Sequence, residues 1–528
     1  MKTVFILLIC LVSLCSCQKK STTIKQTIRL NIATEPPTMD ARKASDTTSI
    51  ALIKMCFEGL MRRTQDGSFE NGMAERVEVS DDQKTYTFFL RNAKWSDGHP
   101  VRAQDFEETW KLILSPEFPS PFSNDLYILK NGEGAKQGRC SLDEVGVKSL
   151  DAKTLQVTLE HPSPYIYDLI SMHAFLAVPS HITKDHPNWA EDATGHFVCN
   201  GPFNLTNWRH HNQMLLEKND LYWDKGVVSI EKIDFTIIPD ENTELNMFES
   251  GQLDWAGYPL STLPIDAFEA LKNRMNIFPL AGVYYYIFNV KEPPFDNVNL
   301  RRAFTLAINR QEIIENITQM GQTAATAFVP TTISHSQVSY FKDNDYEEAS
   351  RLFELALKEM NLSKETLPPI VLTYNTMAAH HRIAQAIAQQ WRKIFGIKVE
   401  LKNMEWKVFL DELTHKQFTV ARMGGVAAYN DPIAFLHLFR YADSTHNLSG
   451  WTNETFSALL NEADLITDQK QRKELLEQAE KIFLEEMPIA PIYFYTGSYM
   501  QKPYLKNVAL SEFAEIDFKY AYLEKGSD

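Results

Sequence analysis

Apolar and polar residues alternate where the chain is extended. "TIRLNIA" puts Ile28, Leu30 and Ile32 on one side, and "TYTFFLR" does the same with Tyr86, Phe88 and Leu90. "TLQVTLE" and "KIDFTIIP" repeat that period, so four strands with one buried face each are expected. Helical spacing is predicted over 46–62 and 103–114. The clearest helix is "RIAQAIAQQWRKIFG", which aligns Ile383, Ile387, Trp391 and Ile394 until Gly396 stops it. "IKVELKNMEW" then resumes as a strand with Ile397, Val399 and Leu401 inward. In "VYYYIFN" (283–289) and "PIYFYTG" (491–497), alternate tyrosines must face opposite sides, one packing and the other free to line a cleft.

Helix and strand interleave along the whole chain, which predicts an α/β or α+β class and no repeat array. A chain of 528 residues is too long for one core, so two or three domains are expected. No low-complexity linker separates them. A chain without linkers is expected to pass between lobes more than once.

The first segment changes the picture from fold to address. "MKTVFILLICLVSLCSC" carries Lys2 and an apolar run from Val4 to Leu14, signal-peptide length and well short of the roughly 20 residues of a membrane span. Leu14-Cys15-Ser16-Cys17 resembles a lipobox, which predicts Cys17 as the lipidated first residue after removal of 1–16. Gln18 follows Cys17 where an Asp would favour inner-membrane retention, so the anchor leans toward an outer membrane if there are two. Net charge is −15, and no basic run is present, which disfavours nucleic-acid partners. Three cysteines lie beyond the leader, so one intrachain bridge at most can form. Cys56 reads as a buried helix residue, and a Cys140–Cys199 bridge is conceivable.

Candidate chemistry is sparse. There is no G-x-S-x-G, H-E-x-x-H or G-x-x-x-x-G-K-[ST] pattern, and no C-x-x-C beyond the leader. "NGEGAKQG" (131–138) joins no strand to a helix and reads as a loop. The histidine pairs at 210–211 and 380–381 are expected to diverge instead of chelating one ion. No enzyme activity and no cofactor are expected.

Several segments together resemble the solute-binding proteins of peptide-importing ABC transporters, the oligopeptide-binding family. They are "TEPPTMDARKASDTTSIALIKMCFEGL", "FLRNAKWSDGHPVRAQDFEETW", "CNGPFNL", "NDLYWD", "PPFDNVNLRRAFTLAINR", "YNT" before His380, "EWKVFLDEL" and "PIYFY", in that order. The resemblance implies a two-lobed, type II-like periplasmic binding protein with an extra subdomain, closing by a hinge on an interlobe cleft. One lobe would comprise 17–57, 180–281 and 497–528, the added subdomain 58–179, and the second lobe 282–496. Trp95 and Asp97-Gly98 would form a structural corner. Partners would be an oligopeptide, the permease and ATPase subunits of an importer, and a membrane through the lipid, with the protein itself a monomer in the periplasm or cell envelope. The same fold also carries non-peptide ligands such as metal chelates or haem.

The family's pocket implies ligand contacts from Arg422, Gly424, His380, Trp406, Tyr285, Tyr495, Phe122 and Thr47. Peptides of many sequences would be held by their shared backbone as an added strand. Where the family places an aspartate for the ligand's ammonium, this chain has Ala428, and a pocket tryptophan position is Gly425. Asp431 reads as the cap of a helix starting at Pro432 and not as a replacement. The family's cysteine pair maps to Gly282 and Val426, its lysine for ligand carboxylates to Thr318, and a tyrosine to Phe122. His380 is kept, and when protonated it could meet a ligand carboxylate. An ammonium without an acid predicts either another acid or a peptide with a modified amino end, such as a cell-wall fragment.

Overall fold

The computed structural model describes residues 26–193, 195–334, 338–441 and 447–524. The leader and Cys17 lie outside them. No described helix is long and apolar enough to cross a membrane.

Two four-stranded sheets occupy the amino-terminal half. The first orders Thr27–Ile32, Lys232–Ile237, Gln213–Lys218 and Phe203–Arg209, with a parallel pair at its amino-terminal edge. The second, antiparallel throughout, orders Ala74–Val79, Thr85–Leu90, Thr154–Thr158 and Val147–Ser149 and is inserted between strands of the first. The predicted faces are the buried ones: Ile28, Leu30, Ile32 and Phe88 are wholly inaccessible. The helix expected over 46–62 ends at Cys56, because Phe57 turns extended and Met61–Arg63 pairs as a strand with Phe69–Asn71. Asp46 caps its start by accepting from Ser49 N at 2.9 Å.

The corner around Trp95 is structural, as expected. Its ring is fully buried, and Nε1 donates to Asp105 at 3.2 Å. Gly98 turns the chain at φ +94°, a conformation L side chains rarely adopt. On the outer side, Asp97 accepts from His181 at 2.6 Å and lies 3.1 Å from His99 Nδ1.

A seven-stranded sheet dominates the remainder. Its main path runs Trp255–Gly257, Ile489–Gln501, Asn276–Phe288, Val420–Val426, Ile370–Asn375 and Val399–Met404, and Thr323–Ala324 joins Ile489–Gln501 off that path. Two strands of 13 residues, Asn276–Phe288 and Ile489–Gln501, run antiparallel to each other. Their register breaks between Pro279 and Val283 and again between Tyr284 and Tyr285. Helix Ala378–Phe395 ends at Gly396 in a left-handed turn, and Ile383, Ile387 and Trp391 are wholly buried.

The tyrosine alternation resolves into two cores. Tyr284 and Tyr286 pack with that helix, while Tyr285 faces the other core with Phe328 and Phe435. The two faces of this sheet therefore serve different cores.

One expectation fails, and one open alternative closes. Residues Gly132–Lys136 form a short helix entered through Asn131 at φ +61°, where a loop was expected. Cys56, Cys140 and Cys199 are all free thiols, so the Cys140–Cys199 bridge does not form; Cys199 instead donates to Phe203 O at 3.3 Å.

Candidate functional site

The strand Val420–Val426 carries the central feature. One edge pairs along its length with Asn276–Phe288, from Phe288↔Val420 to Gly282↔Val426. The other edge pairs with Ile370–Asn375 only at Val420 and Ala421. From Arg422 onward no strand among the described residues pairs with that second edge. Its peptide groups are open to an added strand.

Arg422 stands at the point where pairing stops. Its Nη2 donates to the Tyr495 hydroxyl at 3.0 Å and its Nη1 to Asn375 Oδ1 at 3.4 Å. The guanidinium lies 4.7 Å from the centre of the Tyr284 ring. Its Nε is buried without a partner, and among the described residues no carboxylate comes within ion-pair distance. A cation held by neutral groups keeps its charge for an anionic guest. Gly424 explains the placement of Tyr495, because a Cβ at 424 would collide with the Tyr495 hydroxyl. A Cβ at Gly425 meets nothing within 4 Å.

The far end of the strand opens on two cavities. One, of about 200 Å³, is lined by Phe122, Asp125, Tyr285, Gly425, Ala428 and Tyr429, among others. The second, of about 250 Å³, brings together Thr47, Lys54, Phe122, Tyr258, Ala428 and Glu515. Residues from distant parts of the chain close around them. Tyr165 stacks on Tyr429 at 4.8 Å, and Asn430 N donates to Asp168 at 3.0 Å.

The family model for bacterial extracellular solute-binding proteins, family 5 (middle), matches residues 68–447. The oligopeptide-binding protein OppA of Bacillus subtilis is 44% identical over 513 residues, covering 96% of this chain and 94% of that one. The solved murein tripeptide binding protein MppA of Escherichia coli superposes with TM-score 0.84 at 29% identity, over 96% of this chain and 99% of that one. Haemophilus influenzae OppA, solved in complex with RPPGFSPFR, gives 0.81 at 30% identity, over 95% and 100% of the respective chains. The chain belongs to family 5 of the bacterial extracellular solute-binding proteins.

Family 5 proteins bind and hand on solutes and are not enzymes. The residues expected at the pocket of this family 5 member fall into two groups. Arg422, Gly424, Tyr495 and His380 share one face of the sheet. Tyr285, Phe122, Thr47 and Ala428 line the cavities at its other end. From Arg422 to Val426 the strand extends about 13 Å. Trp406 joins neither group: it is 43% exposed at the start of helix Trp406–Thr414, against Phe409. Thr318 is buried and bonds Gln322 at 2.9 Å, so it offers no amine to a ligand.

His380 departs from the expected protonated ring. It is buried beside the Tyr284 hydroxyl at 3.3 Å, and burial together with the Arg422 charge lowers its pKa to about 3. The neutral ring can exchange a hydrogen bond but brings no charge to a carboxylate. His210 and His211 also depart from expectation: both reach Glu35, at 2.7 and 2.9 Å, one on each oxygen.

Asp431 is committed elsewhere. It forms a buried pair with Arg472, with Nη2 at 2.9 Å, and accepts from Ile433 N at 2.9 Å, but the helix starts at Ile433 with Pro432 in the cap position, one residue later than expected. Asn375 and Asp125 were missed from the sequence. Asn375 lies inside the quoted "YNT", but nothing local indicates that it reaches Arg422.

Two outcomes follow. Gly424→Ala pushes the Tyr495 hydroxyl off Arg422 and lowers ligand affinity by about tenfold, read by calorimetry, corresponding to one charged hydrogen bond of roughly 1.5 kcal/mol. NMR titration of His380 shows no protonation between about pH 8 and 5, since its pKa lies near 3. A midpoint near 6.5 contradicts this placement.

Proposed function

We propose that this family 5 protein captures oligopeptides outside the cytoplasm and passes them to an ABC permease and its ATPase, tethered through a lipid on Cys17. The observation that carries the reading is the unpaired edge of Arg422–Val426 beside an arginine with no carboxylate partner. An extended peptide supplies what that edge lacks: backbone donors and acceptors in register, whatever its side chains. Four residues match the roughly 13 Å from Arg422 to Val426. An anionic group of the guest, its terminal carboxylate or an acidic side chain, would meet Arg422. The kinship supports the class of ligand, since its relatives include an oligopeptide-binding protein and a structure holding RPPGFSPFR.

Domains 17–57 with 180–281 and 497–528, and 282–496, are the two lobes in this proposal, with 58–179 added to the first. The breaks in register between the two long strands are the natural place for hinge bending.

At the amino end, two guests are compatible with Ala428. One brings no ammonium, as an amino-terminally modified peptide, or a cell-wall peptide still acylated on its first nitrogen, would; Ala428 alone favours it. The other brings a free amine met by an acid outside the strand. The unpartnered Asp125 in the same cavity favours the second.

Native mass spectrometry of gently purified protein is expected to release peptides, and a non-peptide guest such as a metal chelate would overturn the proposal. Arg422→Gln lowers affinity for those peptides by about 30-fold or more without changing the unfolding midpoint greatly. Replacing Cys17 by serine is expected to move the protein from the membrane pellet to the soluble fraction; an unchanged pellet contradicts the anchor.

A further inference from the structure

Among the acids around the loop that carries Ala428, Asp431 pairs with Arg472, Asp168 with Arg63 at 2.6 Å, Asp464 with Arg440 at 2.7 Å, and Glu515 with Lys54. Each already has its cation. Asp125 does not. It belongs to the turn Ser123–Ile128 and lines the same 200 Å³ cavity as Ala428, Gly425 and Tyr285. Its Oδ2 is shut off from solvent without a hydrogen-bond partner, and among the described residues its carboxylate makes no ion pair.

We propose that Asp125 receives the guest's ammonium group, serving from a different wall of the cavity the purpose that a carboxylate at position 428 serves in the family. The proposal rests on the oligopeptide reading above and deepens it. A carboxylate left unpaired in an apolar wall is costly, and an incoming cation removes that cost while losing less of its own hydration to an ionic partner. Among the described residues that line this cavity there is no lysine or arginine; Tyr285 and Tyr429 face it as phenols, and the His437 imidazole has Nδ1 on Ile433 O at 2.6 Å. On the helix Gly132–Lys136, Glu133 is an acid, and Lys136 is taken up by the carbonyls of Ile113, Ser115 and Phe118. His173 lies behind Phe122, and burial, with the Lys54 charge, lowers its pKa to about 4 and keeps it neutral.

Desolvation pushes the Asp125 carboxyl up to about 7 in the empty cavity. An ammonium favours the ionised form, so binding releases a proton at acid pH. Affinity for a free amine therefore rises with pH up to about 7 and levels off above it. The same raised value means that folding loses stability as pH climbs from the unfolded carboxyl range toward 7, a loss that Asp125→Asn removes.

The test is competition, by affinity-selection mass spectrometry on the full mature chain, between a random pentapeptide pool lacking lysine, arginine and histidine and its acetylated copy. Only the α-amine then distinguishes the pools. Free amines are expected to win by about 100-fold near pH 7.5, an advantage that shrinks about tenfold per unit below pH 7. Asp125→Asn abolishes the preference and raises the thermal midpoint at about pH 7.5 but not near pH 4. If the preference survives in Asp125→Asn, or the acetylated pool wins, Asp125 is not the receptor while the oligopeptide reading stands. If neither pool binds, both fall.

Discussion

A charge taken out of water needs a partner, and the cleft of this protein holds two that the protein itself does not supply. Arg422 is fixed by a phenol, an amide and an aromatic face, none of which neutralises it. Elsewhere, buried ions such as Asp431 with Arg472, Asp168 with Arg63 and Arg310 with Asp343 are paired, and Glu480 is met by two backbone N–H groups and the Tyr340 hydroxyl. A buried charge beside an open strand edge is where an outside ion belongs. The open strand edge between Arg422 and Val426 has the same character in hydrogen bonds that Arg422 has in charge.

The fold makes that deficit affordable by isolating it. The tyrosine-rich strands serve two cores at once, Tyr284 and Tyr286 on one side and Tyr285 on the other, so both faces of the sheet are packed where it borders the cleft. Glycine at 424 gives room for the Tyr495 hydroxyl, and glycine at 425 leaves the wall bare. Gly282 and Val426 are direct cross-strand neighbours, with Gly282 so close-packed that a Cβ would crowd Tyr495 and Val426. The contacts that bring distant parts of the chain together, Tyr165 on Tyr429 and Asn430 to Asp168, sit beside the cavities and not across Arg422.

Strand faces were legible because a two-residue period records burial locally, as at Ile28, Leu30 and Ile32. The helix ending at Gly396 was legible from spacing and its stop signal. Its neighbour at 46–62 was overextended, since Phe57 and Met61 are as apolar as a helix face and only the partner strand Phe69–Asn71 draws them out. At the site, Arg422 and Gly424 could be named from a resemblance, but charge state could not. Neutral His380 depends on burial under Tyr284 and on the Arg422 charge, both long-range facts. Asp125 carries no local sign of its role, because what singles it out is a missing partner.

The central claim is that the guest supplies the counter-charge and the hydrogen bonds this cleft lacks. A crystal structure of the protein with its co-purified guest tests it most directly. Guest backbone is expected along the free edge of Arg422–Val426, with a guest anion about 3 Å from the Arg422 guanidinium. A loaded structure in which a protein carboxylate swings onto Arg422, with the guest elsewhere, would contradict it.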